Sequence, residues 1–275
     1  MSSIMTNNSA MVALATLRNI NSNMAETQSQ ISTGKSVATA KDNAAVWAIS
    51  KTMEADVQGF NGVSDALALG SSTVAVARSA AETVTELLTE MKEKIVSAQG
   101  ENVDHAKIQA DIAGYAAQID GVVKAAQFNG LNLVENGSTD TTVLSSMDRA
   151  AGVVTASSID VVAADLSAAT LGVDAAGIDV TAGGTQAHLT SVEAAIATTI
   201  DAAAAFGSVQ GRIDIQSEYI SSLTDSMRSG IGSLVDADME ETSARLQALQ
   251  VQQQLGIQAL SIANQAPQNI LSLFR

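Results

Sequence analysis

Four places in the sequence carry side chains that could do chemistry. The stretch Ser32-Thr33-Gly34-Lys35-Ser36 ends like a phosphate-binding loop, in which backbone amides and a lysine cradle phosphate oxygens. That motif needs a glycine five positions before Gly34, where Ser29 stands, and a strand before it, where the pattern here is helical. Asp236, Asp238, Glu240 and Glu241 offer oxygens for a cation. The same carboxylates suit the first turn of a helix starting near Asp236, because a helix N-terminus favours negative charge. His105 and His188 stand far apart with no carboxylate or nucleophile motif beside them, which fits surface or capping positions, and Trp47, in step with Ala40 and Ala44, fits packing. The residues call for no cofactor, no metal and no catalytic constellation, so an enzyme is not expected.

Composition narrows the classes further. With 275 residues, 46% of them hydrophobic, the chain can bury a core. Against 29 Asp and Glu it has 14 Lys and Arg, and a net charge of −15 repels the phosphates of nucleic acid and of anionic membranes. The absence of cysteine excludes disulfides and thiolate chemistry. No basic segment precedes an apolar run near the start, and no run approaches the ~20 apolar residues of a membrane span, so leaving the cell would require a dedicated export machine.

The elements that would position these residues are helices. Val74, Ala77, Ala81, Val84, Leu88, Met91, Ile95 and Ala98 alternate steps of three and four, the seam of helices packed nearly parallel to one another. A second run carries Ile108, Ile112, Tyr115, Ile119, Val122 and Ala126. A third starts at a possible capping box, Thr190 to Glu193, and passes through Ile196, Thr199, Ala203, Phe206, Gln210, Ile213, Ile220, Leu223 and Met227. Continuous over 190–235, that helix would be roughly 70 Å long at ~1.5 Å per residue, against about 50 Å for a globule of this chain length. The expected fold is mostly α: an elongated rod of long antiparallel helices with terminal coiled-coil helices and a small β-hairpin sector at the tip. Short strands are expected around Ile159–Val162, Leu171–Val173 and Ile178–Val180, between Asn136-Gly137 and Gly183-Gly184.

Both ends carry a narrow stripe: Leu14, Leu17, Asn21, Met24, Gln28 and Ile31, then Leu246, Leu249, Gln253, Ile257 and Leu260. One such stripe buries too little to hold a helix alone, so these segments need partners, and Asn21, Gln28 and Gln253 suit register-setting positions within a seam. Ile270, Leu271, Leu273 and Phe274 crowd the last six positions, where most chains leave a polar tail.

The stretch ISTGKSVATAKDNAAVWAI at 31–49, AQFNGL at 126–131, GSVQGR at 207–212, VDAD at 235–238 and the closing NQAPQNILSLFR together resemble bacterial flagellin. The resemblance covers about 1–135 and 190–275 and is strongest toward the short flagellins of alphaproteobacteria. It implies a terminal coiled-coil segment at 1–35, rod-domain helices at 36–135, a short β and loop sector at 136–188 without outer domains, a rod-domain helix at 189–235 and a second coiled-coil segment at 236–275. It implies a structural subunit that self-assembles into a helical homopolymer, the extracellular flagellar filament, for motility. Further implications are export unfolded through the flagellar secretion channel, folding of the terminal helices on assembly, and contacts with hook-filament junction proteins, the filament cap and a secretion chaperone. Flagellins seen by the innate immune receptor resemble one another at an Arg-Val-Arg-Glu-Leu segment; here Glu90 and Lys94 replace its first arginine and its leucine. A hook-filament junction protein shares the terminal pattern and is the alternative, with AQFNG and the closing tail favouring flagellin.

Overall fold

The computed structural model describes residues 7–150, 153–181 and 185–273, with side chains described for 7–149, 153–181 and 185–265. In chain order the elements are α1 (Asn8–Thr33), α2 (Ala44–Ser97), α3 (His105–Ala125), β1 (Gln127–Phe128), β2 (Leu131–Asn132), β3 (Thr141–Ala150), β4 (Val153–Val161), α4 (Thr185–Val235) and α5 (Met239–Leu273). They form two compact units: residues 58–225, and residues 1–57 with 226–275. The divisions between units fall inside α2 and α4, whereas the helices themselves break at 34–43 and 236–238.

In the unit of residues 58–225 the α2 seam is the core. All eight apolar positions from Val74 to Ala98 named above are buried. They face α4, on which Val192, Ala195, Thr199, Phe206, Ile213 and Ile220 are buried. Arg78 Nε donates to Gln210 Oε1 at 3.0 Å, the Thr85 and Thr199 hydroxyls meet at 3.1 Å, and Lys92 pairs with Glu193 at 3.0 Å. Ascending numbers on α2 match descending ones on α4, so the two are antiparallel.

Two expectations about helices change. The start of α4 is Thr185, so Thr190 lies inside the helix, where its hydroxyl donates to the Gln186 carbonyl; there is no capping box at Thr190. On α3 the buried positions are Ile112, Ala116, Ile119 and Val123, so Tyr115 and Val122 yield to residues one place further on. The cause is a second covering layer. Segment 163–181 runs against α3, with Asp120 Oδ1 accepting from the Ala168 amide at 2.9 Å and Gln109 clasping the Ile178 carbonyl and the Val180 amide.

That segment is also where the strand expectation fails. Ile159 and Val161 do lie in β4, but Leu171–Val173 and Ile178–Val180 lie in turns and irregular backbone, with Val173, Ile178 and Val180 buried. Their apolar β-branched character serves packing on α3 rather than a ladder. Gly183 and Gly184 lie outside the described residues. β3 and β4 pair antiparallel, with an irregularity between Leu144 and Ser146. Such a bulge takes a residue out of the ladder, and here the Ser145 carbonyl accepts from Gln216 Nε2 of α4 at 2.9 Å. β1 and β2 form a tight hairpin over Asn129 (φ 52°) and Gly130 (φ 83°), the left-handed pair that a two-residue turn of this kind requires.

One helix among the described residues, α4, is long and apolar enough to cross a membrane by length and composition, with a window of mean hydropathy 1.3 that is 28% buried. The sequence alone predicts no span there. Alanine accounts for the difference: it raises mean hydropathy while leaving the apolar run interrupted by Thr, Asp and Ser.

Candidate functional site

In the unit formed by residues 1–57 and 226–275, α1 and α5 pack against each other. The pair is tied off at one end by the loop that looked like a phosphate site. Gly34 (φ 68°) caps α1 in the left-handed region, a conformation glycine adopts freely. Lys35 bridges Asp236, the Ser36 amide and hydroxyl both donate to the Val235 carbonyl, at 2.7 and 3.1 Å, and the Ala237 amide donates to the Gly34 carbonyl at 3.0 Å. Lys35 Nζ stands 3.5 Å from Glu54, so the lysine is committed to an ion pair. The hydrogen bond from Lys51 first, with the charges of Lys51 and Lys35, holds the Glu54 carboxyl below its ordinary range against the opposing effect of burial.

The carboxylates after the loop start a helix. Asp238 Oδ1 accepts from the amides of Glu240 and Glu241 at 2.9 and 3.2 Å, and those two glutamates fill the first turn of α5. Among the described residues no group of His, Cys, Asp or Glu is arranged to hold a metal ion. His188 Nε2 lies 3.1 Å from the Asp179 carbonyl, and His105 opens α3 with a buried Nδ1. Trp47 is half-buried and Ala44 exposed.

The seam between α1 and α5 differs in phase from the stripe read in the sequence. Leu17, Met24 and Ile31 are at least half-buried, but the intervening seam positions are Ala13, Ile20 and Thr27, while Leu14, Asn21 and Gln28 turn outward. On α5, Leu249 is buried and Leu246, Gln253 and Leu260 are half-buried; Gly256 replaces Ile257, which is exposed. Close approach explains the glycine, since a Cβ at Gly256 would stand 3.0 Å from Leu17 Cδ1. The polar pair does meet: Gln253 Nε2 donates to Asn21 Oδ1 at 2.7 Å. Asn7 closes the far end, its side chain accepting from the Ala10 amide and donating to the Ala263 carbonyl at 2.7 Å. For Ile270, Leu271 and Leu273 only the helical backbone is described, and Phe274 lies outside the described residues.

A second line on α5 escaped the sequence reading. Val251, Leu255 and Ile262 lie four and seven apart on one face and are exposed, Ile262 by 70%. Met11 and Val12 of α1 are exposed too. The signal was available: α5 carries two heptad lines, and only one can face α1.

Of the altered receptor segment, Glu90 is exposed and Lys94 Nζ pairs with Asp111 Oδ2 at 2.9 Å. That hydrogen bond, with the Asp111 charge, raises the Lys94 pKa. Desolvation first, and then the Glu90 charge and hydrogen bond, raise that of Tyr115 on α3.

Comparison with known proteins agrees along the whole chain. The family described as the bacterial flagellin N-terminal helical region matches residues 4–139, and the bacterial flagellin C-terminal helical region matches 189–274. A flagellin of Brucella melitensis is 43% identical over 283 residues, covering 100% of both chains. Flagellin FljK of Caulobacter vibrioides is 38% identical over 100% of this chain and 99% of its own, and flagellin C of Rhizobium meliloti is 39% identical over the full length of each. A crystal structure of Bacillus cereus flagellin aligns with 58% of this chain and 88% of its own at 17% identity, with a TM-score of 0.45.

Proposed function

From the premise that this chain belongs to the bacterial flagellin family, the structural subunits of the flagellar filament, we propose that it polymerises through the paired terminal helices, which fold on assembly after export in an unfolded state. The observation that carries the proposal is the second apolar line on α5. Val251, Leu255 and Ile262 repeat at seam spacing and are left exposed among the described residues, and apolar surface of that regularity is stabilised when another helix covers it. Other copies of the chain would supply that helix, with the closing segment 270–274 buried in the same way. By resemblance, the hook-filament junction proteins, the filament cap and a secretion chaperone are further partners.

The test is assembly of the purified full-length chain, followed by sedimentation and electron microscopy. Long helical filaments are expected, and their loss in a Leu255→Asp, Ile262→Asp variant whose residues 58–225 melt as in the parent. A chain that stays monomeric at every concentration, or a variant that polymerises like the parent, would overturn the reading.

A further inference from the structure

We infer that Met147 is an oxidation site open to hydroperoxides, and that its sulfoxide releases the outer half of the β3–β4 hairpin from α2. Neither step involves polymerisation, so the inference stands or falls apart from the function proposed above. The hairpin lies lengthwise on α2. A Cβ at Gly70 would stand 2.5 and 2.6 Å from the two methyl groups of Val143, and one at Gly59 would collide with Met147 Cε and stand 3.6 Å from its Sδ. The two glycines are eleven positions apart, close to three helical turns, so they share a face. Ascending numbers on β3 meet descending ones on α2, and the strand runs antiparallel to the helix.

The two halves of the hairpin are held differently. In the inner half Val143 is paired with Ile159 and Thr141 with Val161, and Val143, Ile159 and Val161 are all buried. The Ser145 carbonyl adds its hydrogen bond from Gln216 of α4. Beyond the irregularity between Leu144 and Ser146 the anchoring thins out. Asp148, Arg149 and every residue from Val153 to Ser158 are exposed, whereas Met147, paired with Ala156, is half-buried. The thioether of Met147 is thus the outermost side chain of β3 that lies on α2 while still meeting solvent.

A half-buried thioether is within reach of a small oxidant. A lone pair on Met147 Sδ attacks one oxygen of the hydroperoxide and the O–O bond breaks. The proton on the attacked oxygen passes to the departing one, leaving a sulfoxide and water or an alcohol, with sulfur oxidised and the peroxide reduced. Only one other methionine belongs to the unit of residues 58–225, Met91, and it is fully buried in the α2 seam. Selectivity within the unit follows from that difference in exposure. The new oxygen is a strong acceptor, and the glycine beneath it cannot donate: Gly59 lies inside α2, where its amide is spent on the carbonyl one turn earlier. Turning to solvent satisfies the oxygen and lifts the side chain off the helix. A two-stranded hairpin without packing is marginal in water, so the pairs from Met147–Ala156 to Arg149–Val154 fray while the inner half and the α2 seam stay in place.

The test treats the folded full-length chain with hydrogen peroxide, maps oxidation by peptide mass spectrometry and follows amide hydrogen exchange. Met147 is expected to gain oxygen about tenfold faster than Met91. Once it has, exchange over Val154 to Ser157 should rise about tenfold, with exchange along Val84 to Ile95 unchanged. Met11 and Met239, 58% and 44% exposed in the other unit, oxidise under the same conditions, so Met147→Leu is the control. That variant should keep its slow hairpin exchange in peroxide. Oxidation of Met147 no faster than of Met91, an oxidised Met147 with hairpin exchange as in the untreated chain, or a Met147→Leu chain that responds like the parent would each overturn the inference. Fast exchange spreading along the whole of α2 would overturn it too, because the sulfoxide would then unfold the unit instead of releasing one hairpin.

Discussion

Two glycines of α2 show how far one side chain decides. A Cβ at Gly70 would stand 2.5 and 2.6 Å from the two methyl groups of Val143, while one at Gly59 would stand 2.1 Å from Met147 Cε. The distances suggest that Gly59 is the worse site, but what gives way differs. Val143 is β-branched, buried and fixed in β3, whereas Met147 meets the glycine with the end of a flexible chain. Gly70→Ala is therefore expected to lower the stability of the unit of residues 58–225 by about 1–3 kcal/mol, the usual cost of overpacking. Gly59→Ala should be neutral or stabilise by up to ~1 kcal/mol through helix propensity. Thermal melting of the two variants decides, and equal losses would refute the distinction. At the receptor segment, Glu90 is exposed and Lys94 is held by Asp111, and placing charges where the resembling flagellins carry an arginine and a leucine should weaken recognition. The expected outcome is weak activation in reporter cells, rising several-fold in Glu90→Arg, Lys94→Leu; a parent as potent as a strongly stimulating flagellin would sink the idea.

At the scale of elements, the terminal helices are the marginal ones. Thr27 is the one buried residue of α1 among those described, and on α5 the buried residues are Thr242 and Leu249. Such a seam stabilises a helix pair poorly without further partners. The unit of residues 58–225 instead has a continuous buried line on α2, α3 and α4. Removing 240–275 should leave that unit folded with its thermal transition intact, keep the chain monomeric where the full chain polymerises, and cost little helical signal relative to the full-length monomer. Hydrogen exchange on the monomer is the sharper readout. Protected amides throughout 14–31 and 246–260 before assembly would mean that these helices are preformed, contrary to the coupled folding and assembly argued above.

For the molecule as a whole the governing quantity is charge. Subunits of net charge −15 repel one another when they assemble. Screening shortens that repulsion, from a Debye length of ~30 Å at 0.01 M salt to ~8 Å at 0.15 M. The critical concentration for polymerisation is therefore expected to fall several-fold between those salt concentrations, before apolar contacts dominate and the dependence flattens. Light scattering across a salt series measures it; a critical concentration that rises with salt over this range would show that ion pairs between subunits, rather than the apolar line proposed on α5, hold the polymer.

The sequence by itself determined the family, the helical class and the α2 seam from Val74 to Ala98, because a long strictly periodic run leaves only one face to bury. It also placed the start of α5 to within three residues, near Asp236 rather than at Met239, since Asp238 accepts from the open amides of Glu240 and Glu241 whatever the fold does elsewhere. Tertiary structure decided what depends on neighbours. Periodicity named Leu14, Asn21 and Gln28 as seam positions beside Leu17, Met24 and Ile31, although Ala13, Ile20 and Thr27 fit the same heptad, and the approach of α5 at Gly256 to Leu17 and Ile20 selected the second set. Leu171–Val173 and Ile178–Val180 read as strands until α3 was there to pack on. The spacing of Val251, Leu255 and Ile262 was there to be read, but not which of the two lines on α5 would face α1. An apolar stripe records that a face is to be covered, and only the folded chain shows which stripes it covers itself and which it leaves for another molecule.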